Sequence, residues 1–322
     1  MQGKRAYNVD TVFVKPVGAK YDCHGIKYCP CPNLLHSDGE ATVKKFEEMA
    51  ARHVDTFAGI ASLGYDTPGY GYGDKRDGVP VLQTGLAALA EKYDVPYIID
   101  NAWGVPFIGT DIRKVGCDVI IYSMDKASGA PTCGLIIGKE EPMVAIRRAL
   151  GIHGARYGTL SSHGKASSVG FDPDKEALAG ALAAMKILKD RPQVALTALD
   201  DLCRITMEEF EFLPEPLKHN WSIFKSTNSL AVELNYCDTW NGDFGIPVFS
   251  MEDMYAGSQI LQNCMSHMGL VPTIAYDGNV YISNGVGNID EEGKLMELPT
   301  RLSVKAMFKS IEVISRYAGL LD

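Results

Sequence analysis

Two apolar runs set close together limit the fold more than any other feature. Val119-Ile120-Ile121 and Leu135-Ile136-Ile137 carry no polar residue to face water. Such runs predict strands covered on both faces, as in sheets flanked by helices. Between them lies Tyr122-Ser-Met-Asp-Lys-Ala-Ser-Gly-Ala-Pro131, a turn-rich segment with a single lysine, Lys126, beside Asp125. An ammonium set among buried strands costs free energy unless it is paired or neutralised. Lys126 needs a chemical reason to be there.

The surrounding pattern alternates strands with helices. Thr11 to Pro16 reads as a strand, followed by an irregular stretch to about Asp38. Glu40 to Arg52 has helical spacing, with Val43, Phe46, Met49 and Ala50 on one side. Val54 to Ser62 is strand-like, Gly64 to Gly78 a loop, and Leu82 to Tyr93 a helix through Leu82, Leu86 and Leu89. Tyr97 to Asp100 is the next strand. Alternation on this scale implies an α/β domain: a mostly parallel sheet with helices on both faces and right-handed crossovers.

The second half reads differently. Pro173 to Lys189 predicts one long helix buried through Leu178, Leu182, Met185 and Leu188, and Val194 to Phe210 a second. Short strands follow at Ser229–Tyr236, Ile246–Ser250, Thr273–Tyr276 and Val280–Asn284, with helices at Met251–Met268 and Ala306–Tyr317. This order divides the chain near residue 170. Residues 1–170 form the large domain; residues 171–322 hold a linking helix and a smaller α+β domain.

Composition narrows the function classes. The chain has 31 basic and 40 acidic residues, a net charge of −9, which argues against a broad nucleic-acid footprint. No apolar run approaches the roughly 20 residues that cross a membrane, and no secretory leader is recognisable at Met1 to Tyr7. Eight cysteines without that leader suit reduced thiols in a cytoplasm.

Asp100 ends one strand and Lys126 follows the next, so both are expected on the rim where ligands of open α/β sheets bind. A carboxylate there can keep a pyridine nitrogen protonated, and a lysine can form an imine with an aldehyde. Pyridoxal phosphate uses that pair. On these two residues alone, an ion pair capping the sheet explains as much.

The neighbouring residues add to it. Val95-Pro-Tyr-Ile-Ile-Asp100, Asp100-Asn-Ala-Trp-Gly104, Ser123-Met-Asp-Lys-Ala-Ser-Gly-Ala-Pro-Thr-Cys-Gly134 and His163-Gly-Lys-Ala-Ser167 occur in that order. Together they resemble the fold-type I pyridoxal-phosphate enzymes. Within that class they are most similar to the selenocysteine-synthase group, with the phosphoseryl-tRNA selenium transferases and related bacterial lyases. The resemblance spans roughly residues 54 to 190. It implies that Lys126 is the Schiff-base lysine and that Asp100 pairs with the pyridine nitrogen. Ala102 would let the ring lie against the sheet, Ser123 would donate to the cofactor phosphate, and Asp125 would orient the turn. Lys165 stands where the selenium transferase has an arginine, and with His163 is a candidate for an anionic substrate group. Arg301 resembles the small-domain arginine that grips a substrate carboxylate; a surface arginine near a helix start is the alternative.

Lys126 stands closer to the first residue than the family's lysine does. The portion with the Gly/Ser/Thr phosphate loop has no counterpart before Thr11, so either a second subunit supplies that loop or the chain is incomplete or degenerate; the second subunit is the expectation, besides homo-oligomer contacts. Cys23, His24, Cys29, Cys31 and His36 could bind a soft metal, but the one-residue gap between Cys29 and Cys31 is not the usual zinc spacing, and no metal is expected. Gly69-Tyr-Gly-Tyr-Gly73 lacks the spacing of a phosphate loop. His153 and Arg156 follow the strand pair and are weaker site candidates. Cys133 is expected to pack against the sheet.

Three functions fit. The first is a pyridoxal-phosphate enzyme, a lyase or transferase, acting on an amino acid by elimination or replacement at Cβ. The second is a selenium or sulfur transferase on aminoacyl-tRNA, disfavoured by the net charge because tRNA binding relies on phosphate neutralisation. The third is a non-catalytic subunit of a hetero-oligomeric enzyme.

Overall fold

A computed structural model describes residues 5–8, 27–30, 39–64, 72–109, 111–126, 128–149, 173–219, 221–235, 261, 263–270, 274–276, 279–285, 288–317, 319 and 321. The chain divides into two compact units, Met1–Asp190 and Arg191–Asp322. The division falls after Asp190 instead of near residue 170, so the long helix counts with the first unit.

The first unit holds β1 (Arg5–Asn8), β2 (Lys27–Pro30), α1 (Gly39–Ala51), β3 (Phe57–Leu63), a short hairpin of β4 (Lys75–Arg76) and β5 (Val79–Pro80), and α2 (Val81–Lys92). It continues through β6 (Tyr97–Asp100), α3 (Ile112–Val115), β7 (Val119–Ser123), β8 (Gly134–Gly138), α4 (Glu140–Ala149) and α5 (Lys175–Asp190). Six strands form one sheet in the order β2-β1-β3-β6-β7-β8. All neighbours are parallel except β7 and β8. This is the mostly parallel α/β sheet that the strand–helix alternation predicts.

Helix α2 shows why these residues take these forms. Leu82, Leu86 and Leu89 recur at helical spacing and are buried, and Asp94 follows in the left-handed region. Helix α1 buries Thr42, Phe46 and Ala50 at the same spacing. A fully buried leucine or phenylalanine contributes about 1.5–3 kcal/mol relative to leaving it exposed. Below these helices, β3 and β6 bury Ile60, Tyr97 and Ile99.

Four differences from the sequence reading have physical reasons. Strand β2 falls in the stretch that reads as irregular and β1 ahead of the first strand read, because four residues are too few to show a periodicity. Strand β8 runs antiparallel to β7 and is not covered on both faces; Ile137 is 40% exposed. Residues 124–133 are too short a link for the crossover that a parallel pair needs. Helix α5 buries Ala177, Ala181 and Leu188, while Leu178 and Leu182 are exposed. Its small-residue face is turned inward because Gly180 lies against Pro131, where any Cβ would collide with the proline ring. The predicted strands at Thr11–Pro16 and Ile246–Ser250 lie outside the described residues.

The second unit holds α6 (Gln193–Phe210), α7 (Glu215–Lys218), β9 (Ser222–Ser226), β10 (Ala231–Asn235), β11 (Ile274–Tyr276), β12 (Asn279–Ser283) and α8 (Glu297–Tyr317). Its strands pair antiparallel in the order β11-β12-β10-β9. Helix α6 packs on α8 and against β9 and β10. Among the described residues, no helix is long and apolar enough to cross a membrane.

The end of β3 is tightly packed. A Cβ on Gly64 would fall inside the side chain of Asn101, which is 8% exposed and lies directly after β6. Gly64→Ala is therefore expected to destabilise the protein by about 1–3 kcal/mol in chemical denaturation. A variant as stable as the parent would show that Asn101 can move aside freely.

Candidate active site

The candidate residues of the first unit gather at the carboxyl ends of β6 and β7. Parallel pairing sets Asp100 beside Ile121. Beyond the strands the two chains stay hydrogen-bonded: Asn101 N–H donates to Ile121 O at 2.9 Å, and Ser123 N–H donates to Ala102 O at 3.3 Å. Gly64 N–H donates to Asp100 O at 2.9 Å, which ties in the end of β3. Three strand ends thus fix one small patch of backbone.

Asp100 is exposed, and its Oδ1 accepts from Ala102 N–H at 3.0 Å. That contact closes a tight turn and aims the carboxylate, since an aspartate readily hydrogen-bonds the backbone two residues on. Ala102 is half-buried and offers only a methyl group. Below it, Asn101 bonds the hydroxyl of buried Tyr122, whose pKa burial pushes up to about 12. Deeper still, Tyr97 and Ser62 share a hydrogen bond of 2.7 Å, and burial raises the Tyr97 hydroxyl well above its ordinary value. The floor of the patch is neutral at physiological pH.

The turn after β7 carries the lysine. Met124 N–H donates to Cys133 O and Ala130 N–H to Met124 O, both at 2.9 Å, while Met124 itself is buried. Ser128 Oγ closes onto Met124 O. Gly129 takes a φ of 66°, and its N–H donates to Lys126 O at 3.0 Å, a position that suits a residue without Cβ. Met124 anchors the turn, and Asp125 and Lys126 point outward, both exposed. The lysine is therefore not desolvated, contrary to the sequence expectation. Its Nζ lies 5.8 Å from the centroid of the Trp103 ring. At exposed sites such a contact contributes about 0.5–1 kcal/mol, the same order as an exposed ion pair.

Ser123 is half-buried, and its hydroxyl donates to Asp125 Oδ1. Asp125 thus orients the turn through Ser123. Cys133 is partly exposed in the same turn. Cys117, before β7, is buried, and burial pushes its thiol up to about 11, so it is inert.

His163 and Lys165, with His153 and Arg156, lie outside the described residues. So do Cys23, His24, Cys31 and His36, while Cys29 sits within β2. Arg301 lies in the first turns of α8, in the second unit. Its guanidinium contacts Glu208 and Glu209 at 2.6 Å and Glu297 at 2.7 Å. Bonding to Arg301 holds Glu208 and Glu297 below the ordinary carboxylate range. Glu209 is 3% exposed and is the member that most needs a partner. Trp103 belongs to the Asp100–Gly104 segment, but the sequence gives it no role, although it stands one residue after Ala102.

No protein-family profile matches the chain. A stretch of 73 residues is 38% identical to valine–pyruvate aminotransferase of Escherichia coli K12, covering 21% of this chain and 18% of that enzyme's length. Solved structures align over nearly the whole chain. A SepCysS–SepCysE N-terminal domain complex gives a TM-score of 0.57 at 13% identity, over 98% of this chain and 76% of that one. The Escherichia coli cysteine desulfurase CsdA gives 0.55 at 13% identity, over 98% and 73%. The chain has the fold of the fold-type I pyridoxal-phosphate enzymes. The pyridoxamine–pyruvate aminotransferase of Mesorhizobium loti agrees, with a TM-score of 0.53 at 14% identity over 99% and 74%. In this fold, Asp100 and Lys126 stand at the carboxyl ends of adjacent parallel strands.

The three-carboxylate grip on Arg301 gives a test in the second unit. Arg301→Gln is expected to lower the thermal midpoint, because among the described residues buried Glu209 then keeps the ion pair with Lys305 alone, at 3.8 Å. An unchanged midpoint with a weakened apparent substrate affinity would instead favour the substrate-clamp role.

Proposed function

We propose that this chain is a pyridoxal-phosphate enzyme, or the lysine-bearing subunit of one, acting on an amino-acid substrate. The observation that carries this reading is the pairing of β6 with β7, which sets a carboxylate, a hydroxyl and a primary amine on one rim. The donor set suits the cofactor: Asp100 for the ring nitrogen, Ser123 for the phosphate and Lys126 for the aldehyde carbon. Ala102 leaves room for a flat ring where a larger side chain would intrude. When bound, the cofactor would supply an electrophilic carbon and an electron-withdrawing ring. Asp100 would keep the ring nitrogen protonated, and Lys126, when not engaged, would carry the proton at the substrate Cα. Ser123 would have to turn its hydroxyl from Asp125 to the phosphate.

Within that class we favour elimination or replacement at Cβ, on the motif resemblance; amino-group transfer is the outcome that the aminotransferase stretch supports. Selenium or sulfur transfer on aminoacyl-tRNA is less favoured, given the net charge of −9. His163 and Lys165 remain candidates for an anionic substrate group. Cys117, Cys133, Cys203 and Cys264 are free thiols, which suits a reducing cytoplasm.

The test is covalent. Borohydride reduction of the protein with pyridoxal 5′-phosphate, followed by peptide mapping, should place a pyridoxyl group on Lys126. Labelling elsewhere would sink the reading. Asp100→Asn should keep the label and lose roughly 100-fold or more in turnover, since removing one such electrostatic group typically costs about 3 kcal/mol.

We also infer that a further polypeptide segment pairs with β8 and brings a phosphate-binding loop. Among the described residues β8 is an outer strand of the sheet, its sequence Gly134-Leu-Ile-Ile-Gly138 has no charge or proline, and Ile137 is exposed. Unguarded apolar edges of this kind recruit strands. The chain alone should self-associate in light scattering and bind pyridoxal 5′-phosphate weakly. A monodisperse monomer that binds it tightly would refute the second segment.

A further inference from the structure

We propose that Trp103 is the resting partner of Lys126 and keeps the lysine from pairing with Asp100. The ammonium lies over the indole at 5.8 Å from its centroid. Trp103 directly follows Ala102, whose N–H donates to Asp100 Oδ1 and whose carbonyl accepts from Ser123 N–H. The indole, the carboxylate and the lysine turn are therefore fixed to one patch of backbone. Two carboxylates belong to that patch, Asp100 and Asp125, and both are exposed. Asp125 already accepts the Ser123 hydroxyl. Among the described residues, Lys126 makes no ion pair with either.

An ammonium and a carboxylate on one rim ordinarily attract. A Lys126–Asp100 pair would occupy the two groups that the proposed function needs separately, the amine for a carbonyl carbon and the carboxylate for a ring nitrogen. An indole holds a cation by its face with an attraction of similar size, and tryptophan does so better than tyrosine or phenylalanine. It takes no acceptor and gives no counter-charge, so the N–H groups of Lys126 stay available and Asp100 stays open. The importance of this arrangement rests on the proposed function; its existence can be tested in cofactor-free protein.

The probe is trace acetic anhydride on the full chain, with acetylation of Lys126 mapped against exposed Lys114 of α3 as internal reference. A lysine paired with a carboxylate acetylates more slowly. Trp103→Phe, which keeps a ring face, should stay within about twofold of the parent. Trp103→Leu and Trp103→Met, which remove it, should lower Lys126 acetylation by about threefold or more. Adding Asp100→Asn to either should restore the parent's level. Two such variants are used so that one with a native circular dichroism spectrum decides the matter. Lys126 acetylation that is unchanged or faster in Trp103→Leu or Trp103→Met would overturn the proposal, as would a deficit that survives Asp100→Asn. The initial rate of borohydride-trapped pyridoxal 5′-phosphate attachment at Lys126 should follow the same order. Attachment to a different lysine in the parent would refute the proposed function, while the acetylation order would still decide the role of Trp103.

Discussion

The parallel pairing of β6 with β7 is the constraint on which the candidate site depends. It sets Asp100 beside Ile121 and then continues past the strands through the Asn101–Ile121 and Ser123–Ala102 hydrogen bonds. A one-residue slip would turn the alternating side chains of β7 over and place Tyr122, now buried, toward the opposite face. Burial of Ile99, Val119, Ile120 and Tyr122 makes that slip costly. Apolar packing in the sheet thus holds polar groups at its rim.

The same economy governs the depth of the site. Polar groups beneath the rim are paired and uncharged: Asn101 with Tyr122, and Ser62 with Tyr97. Among the described residues of the site, charge appears at the exposed layer, on Asp100, Asp125 and Lys126. Gly64 matters because its missing side chain leaves the space that Asn101 fills. A hydrogen-bonded polar layer of this kind resists rearrangement more than its individual bonds suggest.

Much of this was legible in the sequence where periodicity was strong. Helices α1, α2 and α6, strands β3, β6 and β7, and the pairing of Asp100 with the Lys126 turn on one rim all follow from apolar spacing and strand order. The losses have specific causes. Strands as short as β1 and β2, four residues each, leave no pattern. In α5, leucines outnumber alanines in hydrophobic weight, yet the alanine face is buried because Gly180 must meet Pro131. In α8, the sequence gives no sign of the three glutamates, drawn partly from α6, that stand beside Arg301. Trp103 carried no signal of its own, since a tryptophan in a turn becomes informative only when a cation is placed over it.

The antiparallel return of β8 along β7 bears on the order in which the molecule assembles. Every other pairing in the six-stranded sheet joins segments that lie far apart in the chain or are separated by a helix. Such contacts form slowly, because distant segments must first be brought together. The β7–β8 pair encloses only residues 124–133, and hairpins of this kind form in about 1–10 μs. The lysine turn can therefore reach its shape while the parallel strands are still searching, so that Lys126 is carried by an early-formed piece beside which Asp100 is later set.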